Sequence, residues 1–299
     1  MTKAIFTTRV TPSYDDRPEE YYHFPSPYLN QVRAAVGDQI IYYEPRRMDS
    51  SPSSKGGRQA YFAIAQVDEI RSDQSRPDHY YAQISKYLPF ARPVPFREGS
   101  HYYESRLRNE SGGTNLGLAQ RAVRNISDSD FDQILRAGFA TVLEDDSLPN
   151  IPNANEISES EAEFRRPLVE MTISRPFRDR AFKYVVRAAY DNRCAMTGLR
   201  LINGGGRPEV EAAHIKPVAV NGPDTVRNGL ALSGTVHWMF DRGLISIGDD
   251  YKILVAKNRV PENAIRLLNE NGTVNLPKDQ TLYPNAHYLR FHRDTVFKG

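Results

Sequence analysis

Alternating apolar and polar positions divide the chain into two parts. In residues 1–143, β-branched and aromatic residues concentrate in short runs such as DQIIYYEP (38–45) and QAYFAIAQVDEI (59–70), separated by the polar stretch MDSSPSSKGGR. Such runs, bounded by turn-forming residues, predict strands joined by a loop. The segment FDQILRAG (131–138) follows a polar run and predicts a short helix that ends at its glycine. Residues 1–143 are therefore predicted to form a compact α+β domain.

A helical spacing of apolar residues characterises the second part. RDRAFKYVVRAAY (178–190) places four apolar side chains on one side of a helix: Phe182, Val185, Val186 and Ala189. Further on, the pattern predicts a strand over 209–218, a loop, and a short helix over 233–242 that begins at a Ser or Thr cap and is followed by glycine. The runs GLISI and YKILVA predict two more strands around a Gly-Asp-Asp-Tyr turn.

An acidic segment separates the two parts. The sequence EDDSLPNIPNANEISESEAE (144–163) contains seven acidic residues, two prolines and no basic residue. Few of its side chains could fill a core, so we expect a linker here. The predicted organisation is a domain over residues 1–143, an acidic linker over 144–174 and a second domain over 175–299.

Composition narrows the class of protein. The 299 residues are 39% hydrophobic and 25% charged, which is typical of a soluble globular protein and excludes a disordered or collagen-like chain. The single cysteine, Cys194, excludes an internal disulfide and a four-cysteine structural zinc site, and we expect it to be a small buried residue. The sequence has neither a membrane-length apolar run nor the apolar core of a secretory signal, so a cytoplasmic protein without a membrane partner is expected.

Charge is distributed unevenly along the chain. Residues 1–150 contain 18 basic and 20 acidic side chains, a balance of −2, whereas residues 175–299 contain 19 and 12, a balance of +7. The basic excess favours a phosphate-rich partner for the second domain. An ordinary solvated basic face is the alternative.

Candidate catalytic residues follow the predicted order of strand, loop and helix. His214 falls on the strand between small residues that leave its ring accessible, and a neutral imidazole can take a proton from water at pH 7. Asn228 falls in the loop, where its amide would hold the loop against the strand or simply begin an Asn-Gly turn. His237 and Asp241 are four residues apart on the helix and can converge on one divalent ion. A partly buried strand histidine and a surface His/Asp pair that binds nothing are the alternatives.

Four motifs within residues 194–247 resemble the HNH endonucleases with their ββα-metal fold, in the branch found in restriction-type proteins: CAMTG, VEAAHIKP, NGLAL and VHWMFDRGLISI. The closing LRFHRDTVF is similar to the end of that branch, so the resemblance covers residues 176–299. It implies that His214 is the general base and that Asn228 braces the loop. It also implies that His237 binds the metal, that Asp241 assists or contacts the phosphate, and that the products carry 5′-phosphate ends.

The metal site departs from the wider family at Ala213, where many members place an acidic or histidine ligand directly before the base. Glu211 is the proposed substitute, because strand alternation places it on the same side as position 213. The implied cofactor is Mg²⁺ or Mn²⁺, with Ni²⁺ and Co²⁺ as alternatives. The four-cysteine zinc support of many relatives is missing from this sequence, so no structural zinc is expected.

The first domain loosely resembles the PUA-like superfamily, whose EVE, YTH and SRA members hold modified bases. The likeness lies in the segment GDQIIYY (37–43) and the run ISKYLPFARPVPFRE (84–98). It implies a β-barrel with helices and a pocket in which aromatic side chains stack on a flipped base. The candidate pocket residues, chosen for stacking capacity and a neighbouring guanidinium, are Tyr22, Phe24, Tyr42, Tyr43 and Arg46. The alternative is that about half of these aromatic residues fill a barrel core.

Together the two domains resemble a type IV, modification-dependent restriction endonuclease. The expected partner is double-stranded DNA with methylated or hydroxymethylated cytosine, and a homodimer would supply two cuts. Lys55 and Arg58 would follow the DNA backbone or probe a groove, and Arg290 and Arg293 would touch phosphates from a C-terminal strand, or else form an ordinary solvated edge. Trp238 and Phe240 are expected in the core. A conventional sequence reader, a DNA-binding protein that has lost cleavage and an RNA-processing enzyme are the alternatives.

Overall fold

The computed structural model describes residues 2–9, 14–51, 53–143, 172 and 174–299. The chain forms two compact units, Met1–Ala181 and Phe182–Gly299. Apart from residues 172 and 174, the predicted acidic linker (144–174) lies outside the described residues. No helix in the described part of the chain is both long and apolar enough to cross a membrane.

A curled six-stranded sheet is the centre of the first unit, with the strand order β2-β5-β4-β3-β1-β8. Its strands are β1 (Ala4–Thr7), β2 (Tyr21–Pro25), β3 (Gln39–Glu44), β4 (Ala60–Ser72), β5 (His79–Pro95) and β8 (Val123–Asn125). Strands β1 and β3 run parallel and the other neighbours antiparallel. The β4–β5 pair shifts register at three points, and such bulges bend a strand pair. Two short strands, β6 (Arg97–Glu98) and β7 (His101–Tyr102), form a separate ribbon. The predicted mixture of helix and strand is confirmed, and closure into a PUA-like barrel stays a prediction.

Three helices accompany this sheet: α1 (Leu29–Ala34), α2 (Leu116–Ala119) and α3 (Asp128–Leu143). Helix α3 continues past Gly138, where the sequence predicted its end. A side chain at Gly138 would place a Cβ 2.6 Å from the ring of Phe90 on β5. The glycine therefore permits close packing between helix and sheet and does not terminate the helix.

The second unit contains a β-hairpin followed by a helix. Helix α4 (Arg175–Ala189) includes the boundary between the units, and its residues from Phe182 onward belong to the second unit. The hairpin consists of β9 (Glu211–His214) and β10 (Gly229–Leu232), and helix α5 (Gly234–Asp241) follows. The remaining elements are β11 (Ile245–Ile247), β12 (Ile253–Val255), α6 (Glu262–Ile265) and α7 (Ala286–Thr295). The predicted order of strand, loop and helix is present, although β9 is shorter than the predicted strand 209–218.

Two glycines fix the geometry around this ββα arrangement. A Cβ at Gly229 would lie 2.5 Å from Val186 and 3.1 Å from Phe182, so only glycine lets α4 pack this closely on β10. Gly243 has a φ of +69° and follows the end of α5, where a left-handed residue ends the helix. The buried faces of the hairpin and α5 join one apolar core with Phe182, Val236 and Phe240.

The C-terminal segment differs from its prediction. Residues 286–295 form the helix α7, which begins where the Asn285 side chain accepts a hydrogen bond from the backbone of His287, so the predicted strand is wrong. Tyr288, Leu289 and His292 are buried at helical spacing. Polar side chains at 290, 292 and 293 suggested an alternating strand, whereas the burial of His292 separates it from the two arginines.

Candidate active site

His214 is the last residue of β9, and its ring is held on two sides. Its Nε2 lies 2.9 Å from Oδ1 of Asp224, and the ring stacks on Phe182 with centroids 3.7 Å apart and planes 9° from parallel. Nδ1 of the same ring forms no hydrogen bond in the described part of the chain and is not one of its buried unpaired atoms. One ring nitrogen is therefore engaged and the other faces solvent.

Asn228 is fully buried at the other end of the loop that follows β9. Its Oδ1 accepts a hydrogen bond from the backbone N–H of Lys216 at 2.8 Å, and its Nδ2 donates to the carbonyls of Lys216 and Pro223 at 3.0 Å each. The Asn228 carbonyl in turn accepts from the Ile215 N–H. The amide thus holds both ends of the loop together, with His214 directly before it.

Asp224 is the residue of this site that the sequence analysis missed. It is the only acidic residue between His214 and Asn228, and that fact was the available signal. Its side chain is only 3% exposed, against 17% for His214. A buried carboxylate is costly unless it has hydrogen-bond partners, so its place beside an imidazole is a specific arrangement.

The three predicted metal ligands lie together at the start of α5. Nδ1 of His237 is 2.9 Å from a Glu211 carboxylate oxygen, and Nε2 is 3.4 Å from Asp241. Glu211 is opposite Leu232 in the hairpin register, which brings the start of β9 next to the residues that lead into α5. Both carboxylates are more than half exposed, whereas Ala213 is buried in the core.

The donor set suits a divalent ion, with one adjustment to the predicted ligands. The two carboxylates flank different nitrogens of one ring, so an ion on either nitrogen shares only the carboxylate on that side. The other carboxylate then accepts the remaining ring N–H, an arrangement found around metal-bound histidines. Among the described residues, no three His, Cys, Asp or Glu side chains form a complete metal-binding cluster. An imidazole and one carboxylate, completed by water, match the ligands that Mg²⁺ and Mn²⁺ accept.

Most of the predicted base-pocket residues are part of the core of the first unit. Tyr22, Phe24 and Tyr42 are at most 3% exposed and Tyr43 is 7% exposed, so they are closed to a base in this structure. Their runs are buried on both faces of the sheet, and β-strand aromatic residues often serve packing. The pocket prediction is therefore corrected for these four side chains, and the packing alternative accounts for them.

The predicted basic residues of the first unit lie on the loop between β3 and β4. Arg46 and Lys55 are exposed. Arg58 forms an ion pair with Glu44 at 2.7 Å, and its guanidinium lies 5.1 Å from the centre of the half-buried Phe62 ring. The loop thus presents positive charge beside an aromatic side chain.

Near the same aromatic core, two polar groups are unusual. The hydroxyl of Tyr42 is buried and has no hydrogen-bond partner in the described part of the chain. Burial raises the pKa of Asp16 to about 6, although its oxygens accept hydrogen bonds from the His23 N–H and the Thr8 hydroxyl. Neither residue was predicted as functional.

Three predicted placements in the second unit also have clear outcomes. Arg290 is exposed on α7, while Arg293 donates to the Ile247 carbonyl and to Asp249, so it is engaged within the unit. Trp238 was predicted in the core but is 57% exposed, because Val236, Met239 and Phe240 occupy the buried face of α5. Cys194 is buried, as predicted.

Comparison with known proteins gives one family match, described as HNH endonuclease (HNH_2), over residues 194–248. No curated protein matches the sequence significantly. Three solved structures are similar to this chain, all with low TM-scores. They are a modification-dependent TagI restriction endonuclease (16% identity, 98% of this chain and 81% of that chain, TM-score 0.30), the N-terminal domain of Staphylothermus marinus McrB (9%, 44% and 92%, 0.30), and the type IV phosphorothioation-dependent restriction endonuclease ScoMcrA (14%, 98% and 50%, 0.22).

The matched residues contain the hairpin, the loop and the helix that carry His214, Asn228 and His237. The resemblance inferred from the four motifs is confirmed by this match. Residues 194–248 are an HNH endonuclease domain, and the chain is a nuclease.

Proposed function

We propose that this chain is a divalent-metal-dependent DNA endonuclease that recognises modified cytosine through its first domain and cuts nearby with its second. The observation that carries the nuclease chemistry is the His214 ring, which has one nitrogen engaged by Asp224 and the other facing solvent. An imidazole held in this way can take a proton from water near neutral pH. We assign His214 as the general base.

Hydrolysis then needs one proton acceptor and one breaking bond. As the oxygen of the attacking water bonds to phosphorus, its proton moves to the imidazole of His214. The bond between phosphorus and the 3′-oxygen breaks, and the electron pair leaves with that oxygen. The products are a 5′-phosphate and, after protonation from solvent, a 3′-hydroxyl. The imidazolium then releases its proton to solvent, so the ring is restored.

His237, with Glu211 or Asp241 beside it, would hold the divalent ion that HNH endonucleases generally use. Such an ion stabilises negative charge on a scissile phosphate and on a leaving oxygen. The exposed carboxylates leave this side of the site open to water and substrate. Mg²⁺ and Mn²⁺ are the proposed ions, and Ni²⁺ and Co²⁺ are the alternatives to be compared with them.

The DNA backbone has a basic path to this site within the second unit. An open cavity of about 540 Å³ adjoins Glu211 and is lined by Arg187, Arg207 and Asn203. Two guanidinium groups and an amide beside a candidate metal ligand suit phosphate oxygens. Together with the exposed Arg290 they account for part of the basic excess of this unit.

For the first domain, proposed to span residues 1–143, we suggest recognition of 5-methylcytosine or 5-hydroxymethylcytosine by base flipping. What supports this is the resemblance to PUA-like readers, the positively charged loop with Arg46, Lys55 and Arg58, and the half-buried Phe62 beside it. A pocket in this domain would therefore open at Phe62 and not at the buried tyrosines. A homodimer on DNA would supply one cut for each strand.

Digestion of matched plasmids tests the proposed function. One plasmid is prepared unmodified, with 5-methylcytosine and with 5-hydroxymethylcytosine, and each form is incubated with Mg²⁺, Mn²⁺, Ni²⁺ or Co²⁺. We expect cleavage of at least one modified form, and none when the metal is chelated. Equal cutting of all three forms would show a conventional reader, preference for structured RNA would show an RNA-processing enzyme, and binding without cleavage under every condition would contradict the nuclease role.

A further inference from the structure

The contact between Asp224 and His214 determines which ring nitrogen carries a proton. A carboxylate accepts hydrogen bonds and cannot donate one when ionised. Because Asp224 lies 2.9 Å from Nε2, the favoured neutral form of His214 has its proton on Nε2 and a lone pair on Nδ1. Nδ1 is the nitrogen that faces solvent. The accessible atom is therefore the one able to accept a proton.

The loop holds Asp224 in place through its neighbour. Nδ2 of Asn228 donates to the carbonyl of Pro223, the residue directly before Asp224, while the same amide is bonded to Lys216 on both sides. Phe182 restricts the plane of the His214 ring by stacking at 3.7 Å. Ring plane, ring rotation and proton position are thus fixed by three different residues.

We propose that Asp224 is a positioning residue for the general base: it holds His214 as the Nε2–H tautomer so that Nδ1 receives the proton of the attacking water. This inference rests on the proposed role of His214. When the water oxygen bonds to phosphorus, its proton moves to Nδ1, and the resulting imidazolium keeps its Nε2–H bonded to the carboxylate. Asp224 therefore also stabilises the positive charge that forms on the ring, without itself taking up the proton.

The role assigned to Asn228 changes accordingly. Its amide does not contact His214 in this structure; it acts one residue further away, by fixing Pro223 and therefore Asp224. A loop brace and a proton-directing carboxylate form one chain of contacts from Asn228 to the ring.

The test compares Asp224→Ala and Asp224→Asn with wild type and with Asp191→Asn. Asp191 is an exposed aspartate of the same unit, 3.8 Å from Arg200 and away from the loop. We expect a loss of about 10²-fold in kcat for Asp224→Ala, with KM for the cleaved DNA changed by less than about twofold, because the contact acts on proton transfer and not on binding. Asp191→Asn is expected to match wild type. Thermal unfolding identifies any variant that fails to fold.

A second measurement needs no substitution at position 224. Nitrogen-15 NMR of histidine-labelled protein distinguishes a protonated from an unprotonated ring nitrogen, and the signals of His214 are assigned by their loss in His214→Ala. We expect the neutral ring to carry its proton on Nε2 in wild type and to lose this preference in Asp224→Ala. A proton on Nδ1 in wild type would overturn the inference.

The kinetic results separate this inference from the proposed function. If His214→Ala cuts as fast as wild type, the general-base assignment fails and the role of Asp224 fails with it. If His214→Ala is inactive while Asp224→Ala keeps the wild-type kcat, only the role of Asp224 is overturned. Loss of kcat in both variants, with retained DNA binding, supports both.

Discussion

Two histidines of the second unit have nearly the same packing but different chemical surroundings. His214 stacks on Phe182 with centroids 3.7 Å apart, and His292 stacks on Phe240 at 3.8 Å. His292 is 2% exposed, with Nδ1 bonded to the Ser246 hydroxyl and Nε2 to the Phe240 carbonyl. His214 has a carboxylate on one nitrogen and solvent at the other.

The difference separates a structural histidine from a catalytic candidate. Burial lowers the pKa of His292 to about 4, and both of its nitrogens are occupied, so it is a neutral packing group at pH 7. A ring stacked on phenylalanine is therefore no sign of catalysis by itself. What distinguishes His214 is the combination of an ionic partner and an accessible nitrogen.

The largest expected effect is on cleavage by His214→Ala. Loss of a general base should slow DNA cleavage by about 10²–10⁴-fold, while binding of the same DNA stays close to wild type. The matched control is His287→Ala, which removes an exposed histidine from α7. Single-turnover cleavage and a gel-shift titration measure the two quantities. Wild-type rates in the His214 variant would remove the basis of the comparison.

His292 should instead affect stability, and in a defined pH range. Its folded-state pKa is near 4 and its ordinary value is 6.5, so between these pH values the unfolded chain binds a proton that the folded chain excludes. The free energy of unfolding should therefore fall by up to about 3 kcal/mol as pH decreases from 6.5 to 4. Urea unfolding across this range measures it. The His292→Gln variant should lose this part of the pH dependence, and an unchanged slope would contradict the account.

The third histidine, His237, should control the metal requirement. We expect His237→Ala to raise the Mn²⁺ concentration needed for half-maximal cleavage by about 10–100-fold, and Glu211→Gln and Asp241→Asn to raise it less. Because the two carboxylates flank different ring nitrogens, one of these variants should have a clearly greater effect, and it identifies the direct ligand. Cleavage titrations against Mn²⁺ compare the three. An unchanged requirement in all of them would place the metal elsewhere.

A small effect is expected from Gly229→Ala, which alters the packing beneath His214. The added methyl group would lie 2.5 Å from Val186 and 3.1 Å from Phe182, whose side chains can shift. We expect about 1–2 kcal/mol of destabilisation and a modest loss of cleavage through displacement of the Phe182 ring. Thermal unfolding and kcat measure both effects. Wild-type stability would show that α4 packs less tightly on β10 than described.

The sequence allowed the local parts of the site to be predicted and left its tertiary parts open. His214, Asn228 and His237 occur in short motifs whose residue types correspond to a strand, a loop and a helix, and the structure has these elements. Asp224 was missed because only the fold of the loop brings it to the ring. The C-terminal helix was mistaken for a strand because a buried histidine between exposed arginines imitates an alternating pattern.

The first unit was harder to predict for a related reason. An aromatic strand residue has the same appearance in a sequence whether it fills a core or lines a pocket. Tyr22 and Tyr42 proved to be core residues, while Trp238, predicted in the core, is exposed. Burial depends on which faces of a strand or helix are covered by elements distant in sequence, and periodicity over eight residues does not determine it.

Chemical rescue tests the central claim, that the imidazole of His214 takes the proton of the attacking water, most directly. Single-turnover cleavage of a modified plasmid is followed for His214→Ala at increasing concentrations of free imidazole, with His237→Ala measured in parallel. The account predicts that imidazole accelerates His214→Ala in proportion to its concentration, and that His237→Ala gains no comparable acceleration. A His214→Ala variant that cuts at the wild-type rate without imidazole would contradict the claim.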